Sequence, residues 1–106
     1  MAVIDGLQWM DETEALDLLR VSADNLLIID QLAASVPSYV EALTGYPADT
    51  AAGDDCDELV KQLSRFVLQL WFNPDGTDGE RLEKVVVSLA KSVKALVTSG
   101  DLPSVQ

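Results

Sequence analysis

Over residues 57–73 the chain reads DELVKQLSRFVLQLWFN, and its apolar positions return at the helical period. Leu59, Leu63, Phe66 and Leu70 fall on one stripe, widened to one side by Val60, Val67 and Trp71. That is a core face. On the other side Leu68 and Phe72 stand four residues apart beside Lys61 and Arg65, where a solvated face is expected. From Phe66 onward the pattern is apolar nearly all round. Such a helix either runs through the middle of a bundle or gives its second face to another molecule.

Three further stretches carry the same period. Asp11 followed by Glu14 has the form of a capping box and predicts a short helix to about Arg20, with Ala15, Leu18 and Leu19 inward and Trp9 or Met10 stapling its entry. After a break at residues 22–24, with Ser22 or Asp24 as the next cap, a long helix is predicted over about residues 24–44. Leu26, Ile29, Leu32, Ala33, Val36, Val40 and Leu43 line it, and Gly45 closes it. Pro37 lies inside, where it removes one backbone bond at a cost of about 3 kcal/mol, so a kink or break is expected near residues 33–37. The last helix is predicted over about residues 80–98, with Leu82, Val85, Val86, Leu89, Val93 and Leu96 inward.

Between these elements the pattern lapses. Residues 46–55, YPADTAAGDD, read as a surface loop, and Asp54 or Asp55 is the expected cap of the central helix. Residues 73–79 read as a sharp turn, 99–106 as a flexible tail, and 1–10 as an apolar arm that docks on something. No strand alternation is expected. The architecture is therefore a single all-α domain, a small bundle of one short and three long helices with the second kinked near Pro37.

Composition narrows what such a bundle can do. A chain of 106 residues supports one modest core, and 48% hydrophobic with 24% charged residues is globular rather than disordered. Eighteen acids against seven bases leave a net charge of -11, which disfavours sequence-specific nucleic-acid binding and attraction to an anionic membrane. No uninterrupted apolar run reaches the roughly 20 residues of a membrane span. The start of the chain lacks the pattern of a signal peptide, and together with a lone Cys56 this suggests folding in a reducing cytoplasm.

Catalytic chemistry has few carriers. Without His and with one Cys, acyl-transfer triads and most zinc sites are excluded. Asp54, Asp55, Asp57 and Glu58 cluster at a helix start, where capping and the helix dipole already account for them. Asn73, Asp75 and Thr77 suggest a calcium loop, but Asp78 and Lys84 stand where such a loop needs Gly and Glu. No enzyme activity, cofactor or metal is expected. The remaining candidates are surfaces: Leu68 and Phe72 with Lys61 and Arg65 on the central helix, and Lys84 and Lys91, with Lys94, on the last. The first could be covered by the apolar arm or could be a subunit contact. The lysines could be a solvated face, a nucleic-acid contact or one half of a charge-complementary contact with the acidic remainder of another copy.

Three segments in order carry a resemblance. Leu19-Arg20-Val21 leads into an acid-containing break, a long helix ends Tyr39-Val40-Glu41-Ala42-Leu43-Thr44-Gly45, and a later helix runs into Leu70-Trp71-Phe72-Asn73. Over roughly residues 11–98 the chain resembles the head-tail connector (adaptor) proteins of tailed bacteriophages and prophages. It departs from them at Tyr46-Pro47, where a basic residue often follows the Thr-Gly stop, and in the short glycine-rich stretch after Asn73. The resemblance implies a structural, non-catalytic protein that forms a homo-oligomeric ring between the portal protein and the tail or its stopper. It further implies a place in the bacterial cytoplasm during assembly and then at the head-tail junction of the virion. A reading from another class stays open: a small cytoplasmic helical module that captures one partner helix on the Leu68 and Phe72 surface.

Overall fold

The computed structural model describes residues 3–4, 6–72 and 79–105. It is predominantly all-α, with five helices and one small hairpin. Strand β1 (Val3–Ile4) pairs antiparallel with β2 (Leu7–Asp11), in the register Ile4 opposite Leu7 and Val3 opposite Asp11 with an irregularity between. Helices α1 (Glu12–Leu19), α2 (Leu26–Thr44), α3 (Ala48–Ala52), α4 (Glu58–Phe72) and α5 (Gly79–Ser99) follow, with a 3-10 turn at Ala23–Asn25 before α2. The residues 73–78, on which the sharp turn and the calcium-loop comparison fall, lie outside the described residues.

The arm at residues 1–10 is where the expectation of no strands fails. Its sequence holds Asp5-Gly6 between Val3-Ile4 and Leu7, a two-residue hairpin signal. Gly6 takes φ +86°, a left-handed conformation, and a Cβ there would lie 2.5 Å from the Ala34 Cα and 2.7 Å from the Ala33 carbonyl oxygen. Only glycine lets the hairpin come down onto α2 this closely. Ile4, Leu7 and Met10 are fully buried beneath it. The contact falls at a particular place, because Pro37 has no N–H to bond the carbonyl of Ala33. Helix α2 nevertheless runs unbroken through Pro37, which is itself buried.

The capping box is half as expected. Asp11 Oδ1 accepts from the Glu14 N–H at 2.7 Å, but the Glu14 carboxylate turns away and accepts from Arg65 Nε at 3.1 Å. Helix α1 ends with Arg20 at φ 57°, a left-handed cap on a non-glycine residue. Helix α2 ends on Gly45 at φ 83°.

The stretch 46–55 is no plain loop. It contains α3, and its ends are tied. Glu41 Oε1 accepts from the Ala48 N–H at 3.0 Å, and Thr44 Oγ1 donates to the Val40 carbonyl while accepting from the Tyr46 N–H. Buried Tyr46 then reaches forward, its hydroxyl oxygen accepting from the Asp57 N–H at 3.0 Å at the head of α4. The cap of α4 is Asp57, whose Oδ2 accepts from the Leu59 N–H at 3.0 Å; Asp54 and Asp55 are exposed upstream of it. The tail expected to be flexible is also anchored. The Val105 N–H donates to the Gly45 carbonyl at 2.8 Å, and Leu102 packs on the core.

The core lies where α4 meets α2 and α5. The inward stripes of α2 and α5 are those the periodicity predicts: Ile29, Ala33, Val36 and Val40 on one, Leu82, Val86 and Val93 on the other. In α4 the deepest residues are Val60, Leu63, Ser64, Val67 and Leu68, while Leu59, Phe66 and Leu70 are half-buried. The buried face is thus rotated toward Leu68. Ser64 Oγ is fully buried with no hydrogen-bond partner among the described residues. Replacing it with alanine removes an unpaired buried hydroxyl and improves helix propensity. Ser64→Ala should therefore stabilise the chain by about 1 kcal/mol, raising the thermal midpoint by a few degrees; no change in the melt would mean the hydroxyl is satisfied in solution.

Candidate interaction surfaces

The candidate surface on α4 is largely occupied by the chain itself. Leu68 is 0% exposed and belongs to the core, which corrects its expected place on an outer face. Phe72 is half-buried and packs against the same core. Arg65 and Lys61 are only 24% and 22% exposed in their side chains. The Arg65 guanidinium lies 5.1 Å from the Trp9 ring centroid and the Lys61 ammonium 5.8 Å, so the arm does fold back over this side of α4. Trp9 is held there by donating Nε1–H to the Ala51 carbonyl at 2.9 Å. Glu14 and Glu58 complete the cover as carboxylate partners of Arg65. Exposed and partly exposed pairs of this kind contribute at most about 1 kcal/mol each, enough to orient the side chains but not to hold the fold.

An open groove of about 640 Å³ remains beside this contact, lined by Asp11, Glu14, Asp17, Leu18 and Arg65 among others. Its one base is already paired with Glu14. No group of three or more His, Cys, Asp or Glu placed to hold a metal ion occurs among the described residues.

Burial perturbs the chemistry of Cys56 and Tyr46. Burial pushes the Cys56 thiol up to about 12, with Asp57 and Glu58 adding to the rise and Lys61 opposing it. The same burial raises the Tyr46 phenol above its ordinary value, against the Asp57 N–H that stabilises its oxygen. A thiol protonated so far above neutrality is a poor nucleophile, which argues for a packing role. The sign of the linkage follows. Both groups are favoured in their protonated forms when folded, so their contribution is complete below the ordinary thiol value of 9.0 and lost as pH rises toward about 12. Thermal midpoints should fall steadily above pH 9, and Cys56→Ala should flatten that fall. Identical alkaline slopes for the two proteins would show that the thiol stays accessible to water.

The α5 surface is different in kind. Lys84 and Lys91 are exposed beside Val87, itself 48% exposed, and with Glu83 and Ser88 they line an open groove of about 320 Å³. Lys84 Nζ is 3.8 Å from Glu80 Oε1, but both side chains are more than three-quarters exposed and the pair is weak. The structure thus divides the six candidate residues: Leu68, Lys61 and Arg65 are folded into the chain, Phe72 is half-covered, and Lys84 and Lys91 stay outside. It also exposes two residues that periodicity did not single out, Leu27 at 70% and Ile28 at 53%, in the first turn of α2. The signal for them was present in the apolar run Leu26-Leu27-Ile28-Ile29, which is wider than one helix face can bury.

Two of the segments that carry the connector resemblance meet in space. Tyr39 of α2 and Trp71 of α4 pack edge to face with ring centroids 5.0 Å apart. Compared with family models, curated proteins and solved structures, the chain finds no match in any of the three.

Proposed function

We propose that this chain is a structural, non-catalytic subunit of a phage or prophage head-tail connector. It forms a ring between the portal protein and the tail or its stopper, first in the bacterial cytoplasm and then at the head-tail junction. The observation that carries the reading is where the three resembling segments fall. Leu19-Arg20-Val21 spans the left-handed end of α1, Thr44-Gly45 the left-handed end of α2, and Leu70-Trp71-Phe72 the last turn of α4. Each is a helix terminus, and the second and third are joined through Tyr39 and Trp71. A net charge of -11 fits a channel through which DNA slides, because an acidic wall makes few lasting phosphate contacts. The alternative, a module capturing a partner helix on Leu68 and Phe72, loses half of its surface to the burial of Leu68.

The test is co-purification with the portal protein of the phage or prophage from which this reading derives the chain. A stable complex of ring stoichiometry in native mass spectrometry is the expected result. Failure of the chain to bind the assembled portal at any concentration would remove the connector reading.

A further inference from the structure

Helix α2 is more apolar than its own fold uses. With its preceding turn it is long and apolar enough to cross a membrane, yet only 28% of its most apolar stretch is buried inside the chain. The surplus is greatest at its start, where Leu27 and Ile28 are exposed and Asp24, also exposed, precedes them by one turn. Further along, Gln31, Ala34, Ser35, Ser38 and Ala42 are exposed and uncharged. The second uncovered surface is the α5 groove, with Val87 between Lys84 and Lys91. No acid occurs from Lys84 to Gly100.

Charge decides what can sit on these surfaces. At a net charge of -11 two copies of the chain repel each other, and a contact between them is least opposed where acids are missing. The two surfaces just described come nearest to this, since α2 carries only Asp30 between Asp24 and Glu41, and the α5 groove sets two lysines against its single acid, Glu83. Both are apolar at the centre, and their flanking charges are opposite. The geometry points to a contact between copies of this chain in which Leu27 and Ile28 of one enter the groove formed by Lys84, Val87 and Lys91 of the next, with Asp24 facing Lys91. The apolar residues supply the attraction and the ion pair sets the register. A copy that gives its α2 patch to one neighbour and its α5 groove to another grows head to tail, as a ring requires. Closure into a ring rests on the connector reading; the contact itself rests on the two surfaces.

The experiment is sedimentation velocity of the full chain in a concentration series reaching on the order of 1 mM, the range of the weakest contacts it need detect. Wild-type chain should associate with rising concentration. Leu27→Glu should weaken association at least about tenfold with an unchanged helical circular dichroism spectrum. Asp24→Lys and Lys91→Glu should each weaken it, while an equimolar mixture of the two should associate as the wild type does, because every patch in the mixture can face a groove of opposite charge. A wild-type chain that stays monomeric throughout overturns the contact, as does a Leu27→Glu chain that associates normally or a mixture no better than its parts. Monomers that bind phosphatidylcholine vesicles or duplex DNA through these residues overturn it as well. Failure of the connector reading is separate: the contact would then persist while the portal is not bound.

Discussion

Gly6→Ala should cost the chain roughly 2 to 4 kcal/mol, summing a left-handed backbone penalty of about 1 kcal/mol and an overpacking penalty of about 1 to 3. The methyl group would meet backbone, at the Ala34 Cα and the Ala33 carbonyl, and neither can rotate away. Gly45→Ala is the matched control. It has nearly the same φ, +83°, but its added Cβ meets only Val97 Cγ1 at an ordinary 3.5 Å. It should lose only the conformational part, about 1 kcal/mol. The difference between the two in urea unfolding isolates the close approach of hairpin and helix. Equal losses would mean that the hairpin lifts off α2 without cost.

Leu68→Ala should cost about 3 kcal/mol, within the 2 to 5 found for fully buried leucines. On a solvated or subunit-facing side of α4 the same change would leave the stability of the isolated chain within about 0.5 kcal/mol. Leu68 is fully buried in the single chain, so the loss should appear in dilute, monomeric protein. Leu27→Ala under the same conditions should be close to neutral, since Leu27 is 70% exposed. An unchanged urea midpoint for Leu68→Ala would restore that residue to the surface.

The contrast between Leu68 and Leu27 shows what a one-dimensional pattern can carry. The helical period identifies α1, α2, α4 and α5 and most of their inward residues, because each is long enough for 3.6-residue spacing to be read. It fails for Leu68 because Lys61 and Arg65 share its side of α4 and look like a wet face. In the fold their stems are half-buried and their charged ends meet Trp9, Glu14 and Glu58. Trp9 and Glu14 come from the N-terminal segment, 51 positions away in the case of Glu14, which no local window contains. Helix α3 is missed for a different reason. Five residues make little more than one turn, and Ala48–Ala52 offers small side chains with no apolar stripe. The hairpin is hidden by brevity too, since β1 has two residues and cannot show alternation. Of the surfaces, the lysines of α5 are legible as an acid-free run; the exposure of Leu27 and Ile28 is not, because it depends on which way α2 is turned in the packed chain.

Trp9 sits at a seam in the order of assembly. Helices α4 and α5 are neighbours in sequence and share the most extensive helix-helix contact, so they form a local unit. The hairpin and α1 join α3 and α4 through Trp9 to Ala51 and Glu14 to Arg65, pairings that close loops of 42 and 51 residues. An opening of the N-terminal segment as a separate cooperative unit would break these part-exposed polar ties and expose Ile4, Leu7 and Met10. Trp9 then reports that opening while Trp71, held against Tyr39 between α2 and α4, reports the unit that remains. The chain thus carries two native optical probes on opposite sides of this seam, and their fluorescence transitions separate when the hairpin leaves first.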